Sequence, residues 1–458
     1  MTVSPDSERS PGLKLVLAIV VAFFLTVPLA AVYLLVYDRQ NQSQTAQSSI
    51  AEGWGGPQTL VGPLLVIPYQ KPTSTTETVD GKQVTKTGVE THELVLSPAS
   101  IDMATNMAPD TRKRSIYEAV VYTAHTTGRV RFQIPSDFAR SGIDPATLQF
   151  DKAELRFGIS DPQGLYGPPP TVKIDGQPRE LRPGKGPAET NGAGFYTWFD
   201  ASPLKTQAMT ADFAFDLRGN QSLAMIPHAG DTRWAVTSSW ASPSFQGKFL
   251  PDKPSISPNG FTAVYRVGNL ALGSSLVDAD AAKPDPNVSR DDTPSDKRIA
   301  RVNLVTPVDL YDQVNRSVKY GFLFIGFTFM AFLLFDLIGG VRVSTVEYLL
   351  VGVGLILFFV MLLAFAEVIG FMYAYLVAAG AIVSLLTAYS AAVLGSRKRA
   401  GFICLLLVAL YGVLYILLSL EAYSLLIGSV LLFAALAMVM YLTRNIEWGR
   451  YSAPPLAA

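Results

Sequence analysis

At 458 residues the chain has room for two or three domains, and its apolar fraction of 49% averages two regimes, one of membrane composition and one soluble. Lysine and arginine total 37, as do aspartate and glutamate, so overall charge gives no sign of a nucleic-acid partner or a strongly acidic one. The single cysteine, Cys404, excludes an intramolecular disulfide and a cysteine-rich zinc site.

Met1 to Gly12 is polar and reads as a short tail, residues 1–12. Residues 13–37, Leu13 to Tyr37, form the first hydrophobic helix. That segment is longer than the apolar region of a cleavable signal and ends in VYLLVYDRQ, with no small-residue cleavage site, so it reads as a retained anchor. Pro28 predicts a kink within it. Asp38 to Ser49 is polar and continues the helix out of the membrane. The following EGWGGPQTLVGPLLVIPYQK carries glycines and prolines through an apolar run, which predicts a strand broken by tight turns or bulges. Its glycines lead into a strand, whereas a phosphate-binding loop leads into a helix N-terminus.

From Val66 to about Val267 the pattern is β-like. TETVDGKQVTK and VKIDGQPREL each place Asp-Gly between strand-forming arms, predicting hairpins at Asp80-Gly81 and Asp175-Gly176. Many short strands separated by Gly/Pro clusters, with no long amphipathic helices between them, point to an antiparallel sandwich or a set of twisted sheets. Asp278 to Lys297 is rich in Pro and Asp and predicts a loop, and Ile299 to Val305 a last short strand. Thr306, Pro307 and Asp309 supply a hydroxyl N-cap, a first-turn proline and an acid at the positive end of a helix dipole. The helix they open is expected to run without a flexible joint into the second transmembrane segment.

Residues 318–442 supply five further apolar stretches of bilayer length: Val318 to Ile338, Val346 to Ala366, Phe371 to Leu394, Ala400 to Leu420 and Ala422 to Leu442. The expectation is therefore an α-helical polytopic membrane protein of six transmembrane helices with a large β-rich extracytoplasmic domain, residues 38–317, and a tail at 443–458. The short loops and tails on one side carry Arg9, Lys14, Arg342, Arg397, Lys398, Arg399, Arg444 and Arg450, while those on the other carry Glu367 and Glu421. The positive-inside rule then puts both termini in the cytoplasm and the β domain outside. The lipid bilayer is the expected partner.

No HExxH, Walker A, GxSxG or paired CxxC motif occurs, and His92, His125 and His228 are not at metal-ligand spacing. The sequence assigns no catalytic, cofactor-binding or metal residue. Asp336 is the single acid inside a predicted span, about one turn from its cytoplasmic end, within reach of Arg342 or the headgroups. The small residues of AAGAIVSLLTAYSAAVLG read as close helix packing. Without a polar site near the midplane, a transporter or ligand-sensing receptor is the alternative reading.

The runs GPQTLVGPLLVIPY, SSWASPSFQGKFLPD, TPVDLYDQVNRSVKYGFLFIGFTFMAFLLFD, YLLVGVGLILFFVMLLAFAE and YLTRNIEW together resemble the CreD family of bacterial inner-membrane proteins. The resemblance reaches from the first helix to Trp448. It implies an inner-membrane location, a role in envelope integrity, stress response or colicin tolerance, and envelope proteins as partners; it brings no catalytic residues.

Overall fold

The computed structural model describes residues 11–79, 82–136, 138–279, 298–305, 310–337, 343–419 and 424–444. Asp80-Gly81, most of the Asp-rich loop, Thr306 to Asp309, Arg9, Arg342, Glu421 and Arg450 lie outside them. The chain forms two compact units, residues 45–307 and residues 1–44 with 308–458.

The first unit is built on two sheets. Their strands are β1 (Gln58–Val79), β2 (Lys82–Leu96), β3 (Ser100–Arg114), β4 (Tyr117–Phe132), β5 (Ala153–Ile159), β6 (Thr171–Ile174), β7 (Gln177–Pro178), β8 (Arg182–Pro183) and β9 (Gly194–Phe199). They continue with β10 (Met209–Asn220), β11 (Ser222–Ile226), β12 (Asp231–Ser238), β13 (Pro243–Gly247), β14 (Asp252–Ser257), β15 (Gly260–Gly268), β16 (Val277–Asp278) and β17 (Ala300–Leu304). One sheet runs β13-β17-β11-β1-β5-β9-β8, with β2 on β1 and β16 on β2; the other runs β14-β15-β12-β3-β4-β10-β6-β7. Both Asp-Gly expectations meet paired arms: Val79 faces Lys82 across the first, and Ile174 faces Gln177 across the second. Asp175 and Gly176 both have positive φ, as a type I′ turn requires. The bulge expected near Gly62 is present, because Val61 faces Gly158 and Leu64 faces Arg156, leaving one extra residue on β1.

The sheets are mixed, where the sequence pointed to antiparallel ones. β1 runs parallel to β11 and β3 parallel to β12. Parallel neighbours need long crossovers, and local turn signals do not show which distant strands will meet.

Alternation of buried with more exposed residues along most of β3, β10, β12 and β15 turns one face of the second sheet inward. There it shares a core with the first: Phe157 and Phe195 of one sheet meet Phe213 and Phe215 of the other edge to face, at 5.3 and 6.1 Å. Trp234 is fully buried, stacks on Tyr265 and donates its indole N–H to Thr105, which is hydrogen-bonded to Thr126. Gly128 faces Phe213 across the strands, and a Cβ there would lie 2.2 Å from the ring. The outward face of this sheet carries ion pairs Arg129–Asp212, Arg233–Asp102 and Arg266–Asp252.

The helices are α1 (Pro11–Trp54), the short α2 (Asn269–Leu272) between strands, α3 (Leu310–Lys319), α4 (Gly321–Leu337), α5 (Thr345–Ile369), α6 (Phe371–Val393), α7 (Arg397–Ser419) and α8 (Ser424–Thr443). Among the described residues five helices are long and apolar enough to cross a membrane: Gly12–Trp54, Leu310–Asp336, Thr345–Ile369, Phe371–Val393 and Arg397–Leu418. α1 continues through Pro28 and through the polar Asp38 to Ser49. The helix expected to run unbroken past Lys319 is interrupted at Tyr320, whose N–H bonds the carbonyl of Ser317 in a tight i→i−3 turn. α3 before it is amphipathic, burying Tyr311, Val314, Ser317 and Val318 on one side.

Within the helical unit, Leu25 of α1 sits over Gly352 of α5, where a Cβ would lie 2.1 Å from its methyl. α6 buries Ala374, Ala378, Ile382, Leu386 and Ser390 at four-residue spacing, the small ones allowing close approach. Leu386 packs on Gly354.

Trp234→Ala should cost the β unit about 3–5 kcal/mol by leaving a cavity between the sheets. Gly128→Ala should cost less but clearly more than a surface substitution, because the Phe213 ring must move. Thermal unfolding followed by tryptophan fluorescence checks both, with Thr262→Ala on the exposed face as the neutral control.

Candidate functional site

Asp336, Glu347 and Glu367 of the helical unit each stand near a helix end and have a partner. Asp336, one residue from the end of α4, is buried and takes an ion pair at 2.7 Å from Lys14 of α1. Its partner is thus on another helix, and the alternatives weighed from sequence were Arg342 and the headgroups. Beside it the Tyr348 ring packs on Phe329 and Phe332, with its hydroxyl buried and making no hydrogen bond. Glu347 closes a capping box with Ser344 at the start of α5, its carboxylate accepting from the Ser344 N–H at 2.6 Å. Glu367 lies near the C-terminal end of α5, where the helix dipole disfavours a negative charge. Tyr311 donates to it at 3.2 Å, and Arg39 approaches at 3.9 Å.

In the β unit the three histidines stay on separate elements, each beside its own carboxylate. His92 of β2 is 3.5 Å from Glu90 and stacks near Tyr69. His125 of β4 meets Asp216 at 2.5 Å on the exposed face of the second sheet. His228, in the turn between β11 and β12, is partly buried and 3.4 Å from Glu189. Burial holds its pKa below the ordinary histidine value, with Arg298 adding and Glu189 opposing. No cluster of three or more metal-ligating side chains occurs among the described residues.

Sequence reasoning missed two polar constellations. The first spans the outward face of the other sheet: Arg156 makes a bidentate pair with Glu93 and a further bond to Glu154. Glu154 also accepts from Lys185 and from the Trp198 indole at 2.8 Å. Burial works against ionisation of Glu154, but these donors outweigh it and hold its carboxyl below the usual range. The clue was in AELRFGI, where charges at alternate positions of an apolar strand mark one face.

The second lies where α1 gives way to β1. The buried Gln58 amide donates to the carbonyls of Asp161 and Arg218, and the Gly56 N–H donates to the Asp161 carboxylate at 3.0 Å. Trp54 is sandwiched between the guanidinium groups of Arg112 and Arg218, each 4.4 Å from the ring. A Cβ on Gly164 would fall 2.4 Å from the Gln58 amide nitrogen and 2.5 Å from the Arg218 carbonyl.

Next to this junction, an open cleft of about 560 Å³ lies over the start of β1, β11 and β17 and is lined by Thr59, Gln221, Ser222, Arg301, Asn303 and Val305 among others. Arg301 is the one charged residue in that lining. Among its described lining residues no nucleophile stands beside a base.

A helical membrane unit joined to a two-sheet β domain defines an integral membrane protein with a large β-rich portion. Over residues 10–449 the chain matches the model of the family described as inner membrane protein CreD. It is also 30% identical over 439 residues to the inner membrane protein CreD of Escherichia coli strain K12, an alignment covering 95% of this chain and 93% of that one. The chain belongs to the CreD family. It is accordingly an inner-membrane protein in contact with the lipid bilayer.

Two outcomes follow. Asp336→Asn should lower the melting temperature of the detergent-solubilised protein, since losing one partner of a buried pair costs on the order of 3 kcal/mol, and Lys14→Met combined with Asp336→Leu should recover much of it. His228 has a folded pKa below its unfolded value near 6.5, so the unfolded chain binds the extra proton between the two values and stability falls as pH drops through that window. His228→Gln should flatten the fall in melting temperature as pH drops below about 6.5; parallel curves for the two proteins would show that His228 is not the group responsible.

Proposed function

We propose that this chain is a six-span, non-catalytic inner-membrane protein with both termini cytoplasmic and the β domain, residues 38–317, in the periplasm. On this reading it contributes to envelope integrity, stress response or colicin tolerance, with other envelope proteins as partners. The sixth span is α8, Ser424–Thr443, a 20-residue apolar helix. The orientation rests on Lys14, Arg397, Lys398, Arg399 and Arg444 against Glu367 on the opposite side.

The observation that supports the non-transporting part is the Lys14–Asp336 pair. An ionisable residue inside a membrane helix is the usual mark of an ion or substrate path. Here its charge is met by a neighbouring helix near the end of the span, which is a structural use. The alternative, a ligand-sensing receptor, finds its support in the cleft beside Arg301.

Reporter fusions after Asp278, after Ser396 and after Thr443 test the topology: the first should read periplasmic and the other two cytoplasmic. A periplasmic signal after Thr443 would reduce the spans to five. For the function, a strain lacking this protein should regain envelope-stress tolerance when complemented by variants with alanine at His92, His125 or His228. Loss of tolerance in any of these at normal membrane abundance would point back to chemistry or ligand sensing.

A further inference from the structure

We infer that the cleft over the starts of β1 and β11 and the end of β17 binds an uncharged sugar ring, held by the side chains of Thr59, Gln221, Ser222 and Asn303. Thr59, Ser222 and Asn303 belong to the face of the first sheet turned away from the core, since Leu60, Leu223, Val302 and Leu304 beside them point into it. Ser222 and Asn303 face each other across the β11–β17 pair, and Thr59 stands one strand further on and two residues along. Strands lie about 4.8 Å apart and rise about 3.3 Å per residue, so the three groups frame an area of roughly 10 by 7 Å. One pyranose ring with its hydroxyl groups fits that frame.

Gln221 completes the set from the tight turn between β10 and β11. Its φ of 55° lies in the left-handed region, which a residue with a side chain seldom adopts. The backbone there is pinned on both sides: the Gln221 N–H donates to the Val120 carbonyl at 3.2 Å, and the Gln221 carbonyl accepts from the Leu304 N–H at 2.7 Å. The fold thus holds an exposed amide at the rim of the cleft. None of these four side chains makes a hydrogen bond among the described residues, so two hydroxyls and two amides keep their full bonding capacity for a ligand. The charge in the lining, Arg301, is already engaged by another group of the chain, and no carboxylate lies among the lining residues. An ionic ligand would find its charge unmatched here, whereas hydroxyl and amide groups donate and accept as sugar hydroxyls do. The volume of about 560 Å³ is within the range of small-ligand sites. Two sources can supply this chemistry: a free monosaccharide or one unit of a longer glycan. The inference goes beyond the envelope role and does not depend on it, because binding is measured on the purified protein whatever the phenotype.

The test uses the full chain in nanodiscs and reads binding by saturation-transfer NMR observed on the sugar. In one arm the probes are glucose and N-acetylglucosamine; in the other the probe is the soluble trimer of N-acetylglucosamine. Binding in either arm that Gln221→Gly or Asn303→Ala weakens by about threefold to tenfold supports the site. Tighter binding of the trimer identifies a glycan as the source, and equal binding identifies the free ring. Gln221→Gly suits the positive φ of the turn, so it removes the amide while keeping the fold. Glucose 6-phosphate should bind no better than glucose, and Thr262→Ala on the other sheet should bind as the wild type does. Absence of binding by the wild type in both arms, binding unchanged by the Gln221 and Asn303 substitutions, or a preference for glucose 6-phosphate over glucose would overturn the inference.

Discussion

The side-chain amide of Gln58 fixes the place where the β unit begins. It sits with no exposure to solvent and donates to carbonyls of two different segments, Asp161 after β5 and Arg218 in β10. A buried amide left unpaired costs about 1–3 kcal/mol, so these bonds discriminate strongly between the native arrangement and a shifted one. What they set is the starting point of β1, and β1 is the strand that pairs with β11, β5 and β2. A slip of one residue would turn Leu65 and Ile67 out of the core and put Leu64 and Val66 into it. The glycines around the amide have the same purpose: at Gly164 a methyl group would collide with the amide nitrogen at 2.4 Å.

The helical unit follows a different constraint, that backbone groups and charges in a bilayer need partners within the protein. Its acids meet that need by position. Glu347 uses the free N–H groups of a helix start, Glu367 borrows a phenol and a guanidinium, and Asp336 reaches a lysine on another helix. Each arrangement keeps the charge near an end of a span and leaves the middle to aromatic and aliphatic packing, as in Phe324, Phe358, Tyr375 and Tyr411.

Much of this was legible because it is local. Apolar length gave the helices after residue 318 to within a few residues, while α1 runs on to Trp54, well past its apolar stretch; Asp175-Gly176 gave a hairpin because two successive positive-φ positions suit those residues. The parallel β1–β11 and β3–β12 pairs were not legible, since nothing in SLAMI names the strand it will join. The partner of Asp336 was missed for the same reason: Lys14 is more than three hundred positions away and carries no local mark. The break at Tyr320 escaped notice because YGFLF is apolar and helix-compatible; next to it Gly321 packs so close to Leu29 and Phe359 that a Cβ there would lie 2.8 Å from Leu29. Of the polar cleft, neither Thr59 nor Arg301 stands out alone, and only strand register brings them onto one sheet on either side of Ala224.

The paired charges on the outward face of the β14-to-β7 sheet have a kinetic meaning. Arg129 with Asp212, Arg233 with Asp102 and Arg266 with Asp252 cancel at short range, so these six charges add little to the field felt a Debye length away. Encounters with that face proceed without electrostatic guidance, at the unassisted association rates of about 10⁵–10⁶ M⁻¹s⁻¹, and vary little with the salt content of the surroundings. Such a sheet meets its partners at a rate set by diffusion and shape and not by charge.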